Sequence, residues 1–479
     1  MKNKIKYLSK NVALFFVSSF LPKILSFFLI PLYTYYLTTE DYGTYDLIIT
    51  TSSLMIPIFS LCIQDAVMRY AMEKNEGKEY VFSTALNINL IGMVIVFLLC
   101  LLLYSFNVFN FPIKFYFFII AFYFLGSINN MFDFFCKAIG KVKEIVISSC
   151  IKTTLTLLLN IFFIACLKLE LMGLLYAYLF GLIFSVVYLF FKVDLYKYIT
   201  LKNNKKLTKK MIKFSAPLIF SSVAWWINSS SDRYILTWIA GAAVNGIYSI
   251  SYKIPSIIST FATVFNNAWS ISSIKDYDKD DSDGFFGFTY TMMNLFLIIL
   301  CSSLMILNLP ISNFFYSKDF NLAWMYIPPL LLSVLYNSLL LFITGVFRAI
   351  KDTKTITISV ILGAIINTIL NFILIKKFGA YGAAIATMIG YLVSLSFAKF
   401  KLKKYIILKT NNFNNYFSYI ILTFQMILAY FGNKYIIAQF LCLFVILFIY
   451  KKSIGDAYLF IMNKIKHISK KRNSKIYFL

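Results

Sequence analysis

Charge is scarce in this sequence, and negative charge scarcest. Of 479 residues 14% are charged and 60% are hydrophobic, with 20 Asp and Glu in all. Soluble domains carry about a quarter charged residues, so the composition excludes a water-soluble fold and describes a membrane protein. A spanning helix needs about 20 residues, so fourteen would take up about 280 and leave no room for a large soluble head. That excludes a tethered kinase or a nucleotide-driven pump, and no GxxxxGK[ST] loop occurs. Histidine is nearly missing: His467, in the basic C-terminal stretch, is the only one. A His-centred metal site and an intramembrane His base are thereby excluded. The seven cysteines, Cys62, Cys100, Cys136, Cys150, Cys166, Cys301 and Cys442, show no CxxC spacing and read as small buried hydrophobes. No metal or organic cofactor is expected. The expected outer loops are short and lack His, which argues against a membrane polymerase, ligase or acyltransferase, because catalysis needs a positioned acid, base or nucleophile.

Basic charge is what the chain does have, with 46 Lys and Arg and a formal net charge of +26. In so apolar a chain these residues mark cytoplasmic loops and anionic headgroups, and no nucleic-acid partner is expected. Apolar runs place spans near 12–32, 46–64, 81–104, 115–135, 145–166, 171–191, 214–236, 247–266, 286–308, 324–346, 356–375, 381–398, 416–432 and 435–450. The intervening segments alternate in basic charge, and 36 of the 46 Lys and Arg fall on one side, so both termini are expected in the cytoplasm. The run after the positive start is too long for a signal peptide and has no small-residue cleavage site, so it reads as the first span.

The longest basic linker, 192–213, follows the sixth span and suggests a boundary between halves. Internal repeats support it. Cys136-Lys137-Ala138-Ile139, with Lys143, Ile147 and Asn160 beyond, matches Phe347-Arg348-Ala349-Ile350, with Lys354, Ile358 and Asn371 beyond, at constant spacing. Tyr42-Gly43-Thr44-Tyr45-Asp46-Leu47 likewise matches Asn245-Gly246-Ile247-Tyr248-Ser249-Ile250, and Gly173 matches Gly382. The expected fold is therefore all-α, with about fourteen membrane helices arranged as two pseudo-symmetric six-helix lobes. Residues 1–191 form the first lobe, 192–213 the linker, 214–398 the second lobe, 399–450 two appended spans and 451–479 a basic cytoplasmic tail. Parallel copies related by an axis along the membrane normal rock about a central site in alternating access.

Charges within spans cost at least about 2.5 to 3.5 kcal/mol at the bilayer centre, so they usually face a cavity or a partner. Lys23 lies deep in the first span after Pro22 and shares a face with Ser19 and Ser26. Lys152 shares one with Ser148, Thr156 and Asn160, and Lys253 with Ser249, Ser256 and Thr260. For Lys152 and Lys253, snorkelling to a headgroup is the open alternative. Lys137 and Arg348, at cytoplasmic ends, fit ordinary positive-inside placement, although Arg348 gains weight from its repeat partner. Asp133 stands one turn from both Asn129 and Lys137, while Asp46 and Asp232 lie nearer the edges. Asp232 and Arg233 are consecutive, point apart on a helix and are expected to have different partners. Lysines outnumber acids deep in the spans, so the cavity is expected to attract anions, with Asn129, Thr156, Asn160, Ser249, Asn367 and Asn371 as further polar lining. Trp225, Trp226 and Trp269 suit sugar stacking, but an interfacial position is the commoner role for Trp and the one expected here.

Phe20-Leu21-Pro22-Lys23-Ile24 through Ile30-Pro31-Leu32-Tyr33-Thr34, Leu37-Thr38-Thr39-Glu40-Asp41-Tyr42-Gly43-Thr44-Tyr45 and Asp65-Ala66-Val67-Met68-Arg69-Tyr70 resemble the polysaccharide transporter family of oligosaccharide flippases, the Wzx-type proteins. Asp232-Arg233-Tyr234, Asn245-Gly246-Ile247-Tyr248 and Arg348-Ala349-Ile350-Lys351-Asp352-Thr353-Lys354 fit the same pattern. The family belongs to the multidrug/oligosaccharidyl-lipid/polysaccharide exporter superfamily. The resemblance implies a non-enzymatic flippase of the bacterial cytoplasmic membrane, carrying an undecaprenyl-diphosphate-linked oligosaccharide to the outer leaflet for O-antigen or capsule. It implies membrane lipids, a polysaccharide polymerase and chain-length machinery as partners. It also implies a cationic cavity of Lys23, Lys152, Lys253 and Arg348, with Asp46, Asp65, Arg69, Asp133, Asp232 and Arg233 as gating or ion-coupling candidates, the ion being H+ or Na+. A lipid II flippase and a multidrug antiporter are the rivals within the superfamily.

Overall fold

The computed structural model describes residues 27–73, 77–106, 112–200 and 204–455, and among them there is no strand. In lipid the backbone must satisfy its own hydrogen bonds, and a helix does so within one segment. The first copy contributes α1 (Ile30–Tyr36), α2 (Thr39–Phe59), α3 (Ile63–Met72), α4 (Lys78–Ser105), α5 (Ile113–Ala138), α6 (Val142–Asn160) extended by a π-helical turn (Ile161–Cys166), and α7 (Glu170–Lys192). Helix α8 (Lys205–Ser215) lies mostly within the linker, and after it come α9 (Leu218–Ala240), α10 (Ala242–Ser251), α11 (Pro255–Lys275), α12 (Phe285–Ile306), α13 (Asn308–Phe315), α14 (Ile327–Ala349) and α15 (Thr353–Leu402), followed by α16 (Asn412–Tyr430) and α17 (Ile436–Ile449).

Eight of these are long and apolar enough to cross a membrane, nine if the bent α2–α3 pair is one span. The difference from fourteen has local causes. Most of the first expected span lies outside the described residues. The spans expected at 356–375 and 381–398 form one helical run, α15, which turns at Gly379 (φ 56°, ψ −136°). Asn367 bonds Thr387 across the turn and a methyl on Gly382 would overlap the Leu374 carbonyl, so the two limbs form an antiparallel hairpin. Helices α9, α10 with α11, and α16 are interrupted or rich in polar residues.

The expected start of the second span at 46 is corrected by the structure. Thr38 and Asp41 form a capping box that starts α2 at Thr39, so the Tyr-Gly-Thr-Tyr motif lies inside the helix. The helix then breaks at Leu61 and Cys62, both left-handed (φ 54° and 50°), and α3 leaves at 51°. In the second copy the same expected span begins at Ala242 instead of 247, after Gly241 (φ 91°), and pauses before Pro255.

Equivalent residues pack alike in the two hairpins. A methyl on Gly181 would meet Thr156 and the Lys152 carbonyl, and one on Gly390 would meet Asn367 and the Gly363 carbonyl, each group at the matching repeat position. The appended helix α16 is held to α12 by buried polar bonds, a usual glue between helices in lipid. Asn294 donates to Asn415 (2.9 Å) and accepts from Tyr419 (2.8 Å), and Ser302 donates to Gln425 (2.8 Å).

The cysteines fit their expected role in part: Cys62, Cys100, Cys136, Cys301 and Cys442 are buried, but Cys166 is exposed. Trp269 is a core residue, not an interfacial one. It is fully buried, stacks on Phe342 at 4.2 Å and donates its indole N–H to the Phe342 carbonyl.

Candidate functional site

The two repeats meet where Gly43 of α2 faces Gly246 of α10. A methyl on Gly43 would overlap the Ala242 carbonyl, and one on Gly246 would overlap that of Thr39, so each helix presents a small residue to its counterpart one turn earlier. Such contacts let backbones approach closely. Asn245 donates to the Gly43 carbonyl across the crossing (3.3 Å).

One turn beyond, Asp46 accepts from Ser249 (2.7 Å), the residue at its own repeat position. Its other carboxylate oxygen lies 3.2 Å from Arg233 Nη1, and both side chains are mostly buried. Arg233 also donates to Thr50 Oγ1 (3.2 Å) and lies over the Tyr252 ring. Helix α9 runs antiparallel along α2, because Tyr234 bonds Thr51, Trp226 donates to Ser53 Oγ (3.1 Å) and Ser222 meets Cys62. Beyond the crossing the chains diverge: α3 packs on α4, α5 and α8, and α11 packs on α14 and α12.

Asp232 turns the other way, toward the α15 hairpin. It is buried and accepts from Tyr248, Tyr252 (3.3 Å) and Thr387 (3.1 Å). Asn367 donates to Thr387 (3.2 Å) and Asn371 to Asn367 (2.9 Å), extending the network along α15. Consecutive Asp232 and Arg233 thus turn toward different helices, α15 and α2, and both touch Tyr252. Asn228, one turn before Asp232, is buried with both amide atoms unpartnered among the described residues.

Of the sequence-derived candidates, Asp46, Asp232, Arg233, Ser249, Asn367 and Asn371 converge here, and Lys253 has Asp46 and Arg233 as charged neighbours. A second group lies within the first copy. Ser185 donates to Asn129 (2.7 Å), which donates to Asp133 (3.2 Å), whose charged neighbours are Lys137 and Lys152. Lys152 also sits 5.2 Å from the Tyr178 ring, and Asn160 donates to the Thr156 carbonyl (2.7 Å). Asp65 is half-buried on α3, and Arg69 is exposed, paired with Glu73 at 3.7 Å and stacked on Phe214 of α8. Arg348 is exposed at the end of α14. Ser19, Lys23 and Ser26 lie outside the described residues. Sequence reasoning missed Thr50, Asn228, Tyr248, Tyr252 and Thr387; the Ser249 to Tyr248 adjacency and the i, i+4 spacing of Asn228 and Asp232 were the available signals.

Residues 8–271, more than half of the chain, match the family model described as polysaccharide biosynthesis protein. The chain belongs to that family. The chain is also similar to the uncharacterized membrane protein MJ1375 of Methanocaldococcus jannaschii, 26% identical over 246 residues, 48% of this chain and 58% of the relative. The match thus spans less than two thirds of that relative. Among solved structures, the fold of this family member is similar to an inward-facing multidrug resistance MATE family transporter of the MOP superfamily (TM-score 0.65, 13% identity, 80% of this chain and 95% of that one). It is also similar to the lipid II flippase MurJ in an inward closed conformation (TM-score 0.61, 16% identity, 93% of this chain and 100% of that one). A MATE transporter of Vibrio cholerae, VcmN, matches at TM-score 0.58 and 12% identity over 83% of this chain and 98% of that one. This is a multi-pass membrane protein, helical throughout the described residues, whose fold is like that of those solved structures.

Proposed function

We propose that the protein is a flippase that moves an undecaprenyl-diphosphate-linked oligosaccharide from the cytoplasmic to the outer leaflet of the bacterial cytoplasmic membrane, for a surface polysaccharide such as O-antigen or capsule. The reading is supported by family membership together with the buried Asp46–Arg233–Ser249 contact between the repeats. Residues 1–191 and 214–398 act as lobes. With both termini in the cytoplasm, the Gly43–Gly246 crossing closes the outer end, and the divergence of α3 and α11 opens the inner one. Asp46 and Arg233 are then the outer gate, which must part for release. Asp232, among the hydroxyls of Tyr248 and Thr387 and close to Asn367, is the ion-coupling candidate: a buried oxygen-rich site suits H+ or a hard cation such as Na+. Lys23, Lys152, Lys253 and Arg348 remain the candidates for drawing in the diphosphate or acidic sugars.

The fold match along the full length of MurJ favours a second reading, a lipid II flippase, with the same machinery and a different glycan. Both are tested in vesicles reconstituted with the purified chain, by following leaflet exchange of polyprenyl-diphosphate oligosaccharides of several glycan types and of lipid II. Movement of an oligosaccharide without chemical change, slowed at least about ten-fold by Arg233→Ala, supports the first reading. Faster movement of lipid II selects the second. Bond formation between glycans would mean a polymerase, and immobility of every lipid tested would overturn both.

A further inference from the structure

Away from the repeat interface, the second limb of α15 and α16 enclose a hollow of about 500 Å³, floored by Tyr336 of α14. Its wall is apolar, and Ile420, Phe424 and Ile427 are about half or more exposed on the outside of the bundle, where the membrane lies. The hollow continues past Lys399 into a second of about 550 Å³, lined by Phe400, Lys403, Ile406 and Asn412. Lys399 belongs to both. Its ammonium nitrogen is buried, has no hydrogen-bond partner among the described residues, and lies 5.1 and 5.2 Å from the rings of Tyr290 and Tyr416. Its charged neighbour is another cation, Lys403, one turn further along the helix. A buried ammonium with two aromatic faces and no anion is incompletely compensated, since cation–π contacts provide only part of what water would.

We propose that this groove is a binding site for an anionic phospholipid of the cytoplasmic leaflet, with its phosphate on Lys399 and Lys403 and an acyl chain along the apolar wall of α15 and α16. Charge and shape agree on that occupant. The cations stand at the end of the groove where Lys401, Lys404 and Lys409 make the connection to α16 basic, the side that positive-inside charge assigns to the cytoplasm. Basic pockets between membrane helices on that side hold anionic headgroups. A snorkelling lysine would carry its ammonium into water, whereas Lys399 keeps its own buried against two rings. The inference is independent of which glycan, if any, the protein transports.

The full chain in detergent, titrated with phosphatidylglycerol and with phosphatidylcholine of the same acyl chains, is read by native mass spectrometry. Wild type is expected to retain the anionic lipid about five- to ten-fold better, Lys399→Gln to lose that preference and Lys399→Arg to keep it. Ile420→Trp, which fills the apolar wall and leaves both lysines, is expected to lower retention of either lipid, and gel filtration shows that it is folded. Equal retention of the two lipids by wild type, or unchanged preference in Lys399→Gln, overturns the proposal. So does stoichiometric displacement of the phospholipid by a short-chain polyprenyl diphosphate, which would make the groove a subsite for transported lipid, or by millimolar inorganic phosphate, which would make it a site for the free ion.

Discussion

At the scale of single residues, the decisive feature is a carboxylate and a guanidinium that belong to different repeats. Removing one partner of a largely buried pair leaves the other charge uncompensated, at a cost of about 3 kcal/mol or more, whereas removing both leaves none. Asp46→Asn and Arg233→Gln are each expected to lower the thermal midpoint and the flipping rate, and the double variant to be less damaged than the sum of the singles. A double-mutant cycle on the unfolding midpoint reads the coupling, and strict additivity would show that the pair is not interacting. Outside the membrane, Asp352 caps α15 by accepting from the hydroxyl and backbone N–H of Thr355. The Thr355 hydroxyl bond, more than any other contact, holds its carboxyl below the usual carboxylate range. A depressed folded value means that the cap stabilises fully above the unfolded pKa of about 3.9 and fades as pH falls through the lower folded one. Asp352→Ala is expected to cost about 1 kcal/mol at pH 7. The gap between variant and wild type in thermal midpoint should narrow as pH falls below the usual carboxylate range.

At the scale of elements, two glycines do work that no other residue could. Gly43 and Gly246 permit the α2–α10 crossing, so Gly43→Ala and Gly246→Ala should each prise the helices apart. Loss of the folded, monodisperse protein or of flipping is expected for both, with Gly455→Ala, which meets nothing among the described residues, as the silent control. Gly379 differs in kind. Open space surrounds it, so the cost of Gly379→Ala comes from its φ of 56° alone, about 1–2 kcal/mol in the unfolding midpoint. The sequence showed Gly379 only as a small residue between two apolar runs, and the structure makes it the turn of a hairpin. The polar stitches of α16 are a third test: Asn294→Leu should lower the thermal midpoint by the equivalent of about 1 kcal/mol, the usual value of an interhelical bond in lipid.

At the scale of the whole molecule, one interface joins the two repeats at one end. The α2–α10 crossing and the Asp46–Arg233 pair hold one end together, while α3 packs on α4, α5 and the linker helix α8, and α11 packs on α14 and α12. If that pair is the outer gate, Arg233→Ala should shift the population toward the state open at the outer end. Labelling of a single cysteine placed at Ser53, in a chain whose seven native cysteines are replaced, by a membrane-impermeant reagent from outside reads this shift. A rate equal to wild type would show that Arg233 does not hold the gate closed.

Much of this was legible in the chain. Scarce charge, long apolar runs and alternating Lys and Arg speak directly of a helical membrane protein, because lipid tolerates neither unpaired backbone nor frequent charge. The repeat was legible because Gly43 and Gly246, or Asn160 and Asn371, recur in register. That Asp232 and Arg233 face different neighbours followed from helical geometry. What periodicity could not supply was the identity of those neighbours. Asp46 lies far from Arg233 in sequence, and Thr387 far from Asp232, so only packing brings them together. For the same reason the count of charges within spans could not name the Asp46–Arg233 pair beside the buried Asp232. Trp269 moved from the expected interface to the core because the stacking surface of Phe342 arrives from another helix. Sequence determines what each segment must bury; which charge answers which is decided when the segments meet.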